Sequence, residues 1–273
     1  WRWLTASPLS RITFSPVGTC RASFVTDGVA GTGRRQNWKI IYNDPRRAAS
    51  PVPFRPEIFM EPSLFVAEGR LWRNDDAQCR VFDPWSLIWQ PADALPAGAR
   101  AIMAEAALAE LAAANRIRRL PVAVIGPREP VGDQEAVAAA IGAAIASLGL
   151  VLLTGGKGGV MAAASRGAAE SGGLVLGYVP DEDWRMANPH VTVPLATGIG
   201  PVRNALIARA CPVLIAVGGG YGTLSEIAYG LHFDKLVLTI ADAPVVDGAI
   251  ICRDVAEIRA RIARRMLALD GPL

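Results

Sequence analysis

The sequence predicts an α/β fold, a doubly wound parallel sheet of the Rossmann-like kind with a small N-terminal β-containing appendage. Three observations predict it. From residue 121 onward, short apolar runs alternate with helix-length stretches; the links between them are short; and two of the runs lead straight into glycine-rich loops that open helices. Short links between alternating strands and helices imply parallel strands with crossovers on both faces of the sheet. Ligands of such sheets bind beyond the carboxyl ends of the strands.

The elements follow in order. Residues 1–56 are rich in Arg, Ser, Pro and Gly without a sustained period and are expected to be irregular. Residues 57–98 are read as a small β-hairpin unit and a linker. Ser63 to Ala67 and Gln78 to Phe82 alternate around the polar cluster Asn74-Asp75-Asp76, with Leu71 and Trp72 in the first arm, and Pro91 to Gly98 has linker composition. Six of the seven tryptophans fall before residue 90, and only Trp184 lies beyond, which marks the boundary with a Rossmann-like domain over 99–273. Ala101 to Asn115 is an Ala/Leu/Glu helix. Strands are expected at Val122 to Ile125, Val151 to Leu153, Leu174 to Tyr178, Val191 to Val193, Val213 to Val217 and Leu236 to Ile240. Helices are expected at Asp133 to Leu148, Val160 to Ser171, Val202 to Ala210 and Thr223 to His232. The last helix, Val255 to Leu269, has one apolar stripe and a solvated face of arginines.

The stretch V-L-I-A-V-G-G-G-Y-G-T-L-S-E, Val213 to Glu226, joins a buried strand to a helix start. Gly218, Gly219, Gly220 and Gly222 free the backbone N–H groups to face a ligand, and Thr223 opens a helix whose positive dipole end points the same way. Glu226 is expected in the first helical turn. No Gly-Lys-Ser/Thr follows, and Ser225 stands where a third dinucleotide-binding glycine would be, so neither a P-loop nor a dinucleotide fingerprint is present. A second loop, Gly155, Gly156, Lys157, Gly158, Gly159, follows another strand at the same sheet edge. Two such loops converging on one crevice point to a phosphorylated ligand.

These residues resemble a known family. The loop is similar to the P-G-G-x-G-T-x-x-E signature of the LOG family, once labelled lysine decarboxylase-like, whose characterised members are nucleoside 5′-monophosphate phosphoribohydrolases. Arg203 in G-I-G-P-V-R-N-A-L-I, 23 residues before Glu226, matches the family's upstream Arg, and Gly155, Gly156, Gly159 and Met161 match its G-G-G-x-x-G-x-M segment. The resemblance covers roughly Pro121 to Leu273. It implies hydrolysis of a nucleoside 5′-monophosphate to free base and ribose 5-phosphate with no cofactor required. Arg203 and Glu226 would be the catalytic pair flanking the N-glycosidic bond, and Gly155, Gly156, Gly158, Gly159, Met161, Gly218, Gly219, Gly220, Tyr221, Gly222 and Thr223 would bind phosphate and nucleotide. It also implies a homo-oligomer, a dimer or tetramer. Val217 stands where the phosphoribohydrolases carry Pro, and Asn204 follows the Arg where Lys is usual. With T-G-G-x-G-G-V-M, these features look more like the neighbouring branch that includes molybdenum-cofactor carrier proteins. The alternative function is therefore a non-catalytic carrier or sensor of a phosphorylated pterin, the molybdenum cofactor, or of a nucleotide.

Other residues carry weaker signals. Lys157 either offers charge to a phosphate or is solvated, and the same choice holds for Arg128. Tyr221 is placed to cover a ligand, Trp184 to stack on a base or anchor an interface, and His190 reads as structural. The net charge of +3 is too small to argue for nucleic acid. Residues 1–120 hold 16 Lys/Arg against 11 Asp/Glu, and the remainder 12 against 14, so the ligand loops lie in the less basic part. Cys20, Cys79, Cys211 and Cys252 are scattered without a C-x-x-C pair, and only His190 and His232 accompany them, so no metal site or disulfide framework is expected. No apolar run suits a membrane span. The chain starts at Trp1 without Met and without the pattern of a signal peptide, so a truncated or misassigned start and a cytoplasmic location are expected.

Overall fold

The computed structural model describes residues 64–75 and 78–273. The irregular segment expected at 1–56, with Ser63, Asp76 and Cys20, lies outside the described residues.

The first sheet is antiparallel. Its strands are β1 (Leu64–Ala67), β2 (Arg70–Asp75), β3 (Gln78–Asp83), β4 (Ile88–Pro91) and β5 (Arg100–Ala101), in spatial order β4-β3-β2-β1-β5. The expected hairpin is therefore part of a larger meander. Its first arm is itself folded at Glu68-Gly69, where both residues take positive φ, 53° and 69°, as a tight two-residue hairpin turn demands. A glutamate at a left-handed position gives no turn signal in the sequence. Leu64, Leu71 and Phe82 pack into the main core with α1 (Ala104–Ala113), while Ala67, Trp72 and Val81 make a small cluster on the opposite face. Trp89 donates its indole N–H to the Leu267 carbonyl at 2.7 Å and so ties the small sheet to the C-terminal region.

The second sheet is wholly parallel: β6 (Pro121–Ile125), β7 (Val151–Thr154), β8 (Val175–Val179), β9 (Val193–Ala196), β10 (Val213–Val217), β11 (Leu236–Ile240) and β12 (Ile250–Ile251), in order β12-β11-β10-β6-β7-β8-β9. Its central strands β6, β7 and β10 are almost wholly apolar because both their faces are covered, whereas the edge strands β9 and β12 are largely exposed. Val122, Val124, Val213, Ile215 and Val217 face the core shared with α2 (Gln134–Ser147), α3 (Val160–Glu170) and α6 (Val255–Met266). Their neighbours Ala123, Ile125, Leu214 and Ala216 face the core under α4 (Arg203–Ala210) and α5 (Tyr221–His232). Helices α2 and α3 approach closely, because a Cβ at Gly142 or Gly167 would strike the facing helix backbone at Ala164 or Ala139.

Two expectations shift. The strand expected at Val191 to Val193 lies at β9 because the Thr192 hydroxyl and backbone are both engaged with Val175 and Val191 turns on Asn188. Helix α5 starts two residues before Thr223, which places Glu226 in its second turn. From β6 the chain winds outward through β7, β8 and β9, then returns to the other side of β6 at β10. The direction reverses between β6 and β10, and the carboxyl ends of these two strands open the crevice where such sheets take ligands.

Candidate functional site

The cavity at this switch point holds about 480 Å³ and is lined by residues that include Arg128, Met161, Asp181, Arg203, Asn204, Gly220, Gly222, Thr223 and Glu226. Hollows of about 570 and 660 Å³ lie elsewhere, but the first sets Asp133, Asp242 and Asp254 against the single cation of Arg253, and the second lies between the small sheet and the end of α1, away from the parallel strand ends.

Arg203 is the first residue of α4, following a 3-10 turn over Gly200–Val202. Its side chain and that of Glu226 are only 7% and 8% exposed, and Arg203 Nη1 donates to Glu226 Oε1 at 3.0 Å. Arg203 Nη1 also donates to Asn204 Oδ1 at 2.7 Å, and Nη2 points at the Gly155 carbonyl at 3.5 Å. The buried Nε has no partner. Burial raises the Glu226 carboxyl from 4.5 to about 7 despite the pull of Arg203, and burial likewise lowers the Arg203 guanidinium against the opposing effect of Glu226. The structure thus brings together the two residues read as catalytic, and it places them in direct contact rather than apart.

The glycines divide by what surrounds them. A Cβ at Gly155 would collide with the Arg203 guanidinium, one at Gly159 with the Pro127 and Arg128 carbonyls, one at Gly218 with the Gln134 amide and one at Gly219 with Thr223. Gly156 donates its N–H to Thr154 Oγ1 at 3.1 Å, and Gly218 donates to the Ile240 carbonyl at 3.1 Å, so neither amide is available to a ligand. Gly158, Gly220 and Gly222 face open space. The first intrahelical bond of α5 runs from Leu224 N–H to the Gly220 carbonyl, so the amides of Tyr221, Gly222 and Thr223 form the open helix start. In α3, Val160 donates to the Pro127 carbonyl and the first intrahelical bond starts at Ala163, which leaves Met161 at the mouth. Two helix N-termini, together with Arg203 and Arg128, supply the positive end of the cavity. The Tyr221 side chain is 93% exposed and outside the lining, so it does not cover the crevice; Trp184 is also exposed.

Three further residues shape the site; sequence reading marked Asn204 only as a departure from the family pattern and missed Gln134 and Asp181. Asn204 donates to Ser225 Oγ at 3.0 Å and to the Gly222 carbonyl at 3.4 Å while accepting from Arg203, so it joins α4 to the second glycine loop. Gln134, fixed to Val131 and Ala241, backs Gly218. Asp181 accepts from Lys157 Nζ at 2.8 Å, and that contact holds its carboxyl below the usual range. Its position two residues past a strand's carboxyl end was the one available signal. Among the described residues, no helix is long and apolar enough to cross a membrane, and no three His, Cys, Asp or Glu side chains gather to hold a metal.

Comparison with known proteins agrees with this architecture. The model of the SLOG cluster4 family matches residues 119–264. An uncharacterised protein of Archaeoglobus fulgidus is 38% identical over 132 residues, 48% of this chain and 87% of that protein. The molybdenum cofactor binding protein of the phototrophic bacterium Rippkaea orientalis is 30% identical, with TM-score 0.51, over 53% of this chain and 96% of that one. The molybdenum cofactor carrier protein of Chlamydomonas reinhardtii is 32% identical, with TM-score 0.51, over 54% and 99%.

Proposed function

This chain belongs to the SLOG cluster4 family, and from that premise we propose that its crevice holds a phosphorylated heterocycle, a pterin of the molybdenum-cofactor kind or a nucleotide, without cleaving it. The observation that carries this reading is the closed contact between Arg203 and Glu226 at 3.0 Å. Cleavage of an N-glycosidic bond develops positive charge on the sugar and negative charge on the departing base, and a catalyst must set a carboxylate against one and a cation against the other. Here the two charges neutralise each other. The chemistry present suits binding: free amides at two helix starts beside the Arg203 guanidinium. The two structural relatives named for the molybdenum cofactor support the same reading.

Hydrolysis of a nucleoside 5′-monophosphate is the second reading. One observation favours it: a carboxyl raised to about 7 in a cleft is poised for proton transfer near neutral pH. Native mass spectrometry of protein purified from its own host separates the two. Carriage predicts an intact phosphorylated pterin or nucleotide at near-stoichiometric amounts, retained in Glu226→Gln. Hydrolysis predicts release of free base from added monophosphate, abolished in the same variant.

The exposed apolar side chains of Val202 and Leu206 on and before α4, and of Leu224 and Tyr229 on α5, belong in this proposal to a two-fold interface with a second copy. Light scattering on the full chain is expected to show a dimer or larger; a monomer would refute the interface.

A further inference from the structure

The crevice is built for an anion, yet one carboxylate besides Glu226 lines it. Asp181 lies just past β8, and its place is fixed from the side. Lys157 Nζ binds its Oδ2 at 2.8 Å and the Met186 carbonyl at 3.2 Å. Asn188 secures the same strap by donating its backbone N–H to the Gly156 carbonyl at 2.8 Å and its side-chain amide to the Lys157 carbonyl at 3.0 Å. Lys157 is therefore committed to positioning, not to phosphate. Arg128 lines the same cavity as Arg203, Glu226 and Asp181. Asp181 follows β8, three strands along the sheet from β10 and the amide-bearing start of α5, so a ligand whose phosphate sits on those amides meets Asp181 with its other end, where a carboxylate suits a group rich in N–H donors.

We propose that Asp181 is a specificity-determining residue that accepts from the 2-amino-4-oxopyrimidine edge shared by guanine and pterin. This rests on the phosphorylated-heterocycle reading above. That edge carries a ring N–H and an exocyclic amine side by side, two parallel donors that match a carboxylate's two oxygens, and a carboxylate holding one ammonium retains acceptor capacity for both. Adenine presents a ring acceptor at the same place and would meet the carboxylate lone pair to lone pair. Hypoxanthine keeps the ring N–H and lacks the amine. The inference thus selects against adenine nucleotides, and it gives both a guanine nucleotide and a pterin phosphate the same point of attachment.

The test is titration calorimetry of the full chain with guanosine, inosine and adenosine 5′-monophosphates and with 6-hydroxymethylpterin phosphate. The expected order is guanosine above inosine above adenosine monophosphate, with about 10- to 100-fold between the ends, the worth of a hydrogen bond to a charged group. Asp181→Asn keeps an acceptor for Lys157 but replaces one oxygen by a donor, and it should level or invert the order in favour of adenosine monophosphate. Pterin phosphate binding more tightly than any nucleotide, and weakened in Asp181→Asn, would support the shared edge and name the pterin as its source. Equal affinity for the three nucleotides, or an order unchanged in the variant, would overturn the base assignment and leave the phosphate crevice standing. Absence of binding by all four compounds would overturn both.

Discussion

The two glycine loops at the carboxyl edge of the parallel sheet read alike, but their surroundings differ. In the first, Gly155 seats the Arg203 guanidinium, Gly156 spends its amide on Thr154, and Gly159 lies against the Pro127 and Arg128 carbonyls, while the Asn188 strap covers the loop from outside. In the second, the inner glycines Gly218 and Gly219 are packed against Gln134 and Thr223, and the outer half, Gly220 to Gly222, opens on the cavity with the bare amides of α5. A glycine run is thus not one signal. The first loop is mainly a fitted platform and the second mainly a receiving surface, and the Arg203–Glu226 pair joins them.

The strongest way to break this comparison is at the junction. Arg203→Met removes the charge that opposes burial at Glu226, and a loss of about 3–5 kcal/mol in urea unfolding at pH 10, where protonating the carboxyl is itself costly, is expected. A loss under about 1 kcal/mol would mean that the pair joins nothing.

Next in size is the pH dependence of the same pair. A folded-state value raised from 4.5 to about 7 means that the native state holds its proton while the unfolded chain has lost it. The contribution is therefore fullest below pH 4.5 and is lost as pH rises through 7, a change on the order of 3 kcal/mol. Glu226→Gln, which resembles the protonated acid, should match the wild type at pH 4.5 and exceed its stability at pH 8. Urea melts at the two pH values check this; equal pH profiles for the two proteins would show that burial does not raise the carboxyl.

The smallest effects sharpen the contrast between the loops. Gly155→Ala drives a methyl into Arg203 and should cost about 1–3 kcal/mol, as overpacking does. Gly220→Ala meets open space and should cost less than about 1 kcal/mol while weakening ligand binding by blocking approach to the helix amides. Thermal melts combined with phosphate-ester titration separate the two, and the reverse pattern would exchange the roles assigned to the loops.

Much of this was legible in the sequence. Val213–Val217 and Leu236–Ile240 were placed to the residue because strands buried on both faces are uninterrupted apolar runs. The two-residue strands β5 and β12 were not legible, since two residues are too few to show a period even where, as in Ile250-Ile251, the side chains favour a strand. The Glu68-Gly69 turn was hidden by a side chain that rarely takes its backbone conformation. At the site, Arg203, Glu226 and both loops were singled out through resemblance and the strand-to-helix pattern, and the structure brings them together. The number of amides left free was not, because the acceptors that occupy Gly156 and Gly218 are set by tertiary placement. Asp181 was missed for a similar reason: its partner Lys157 lies 24 residues away in the chain.

Among the described residues, the four outermost strands have a consequence for edge-to-edge contact. The antiparallel sheet ends in β4, which closes on Pro91, and in the two-residue β5; the parallel sheet ends in β9, interrupted by Pro194, and in the two-residue β12. A proline removes the donor that an added strand would need, and two residues offer too short a template. The rims are blunted against the edge-to-edge growth that leads to fibrils, even though the strands inside are rich in Val, Ile and Leu. Open-ended edge-to-edge stacking is thereby disfavoured at all four of these rims.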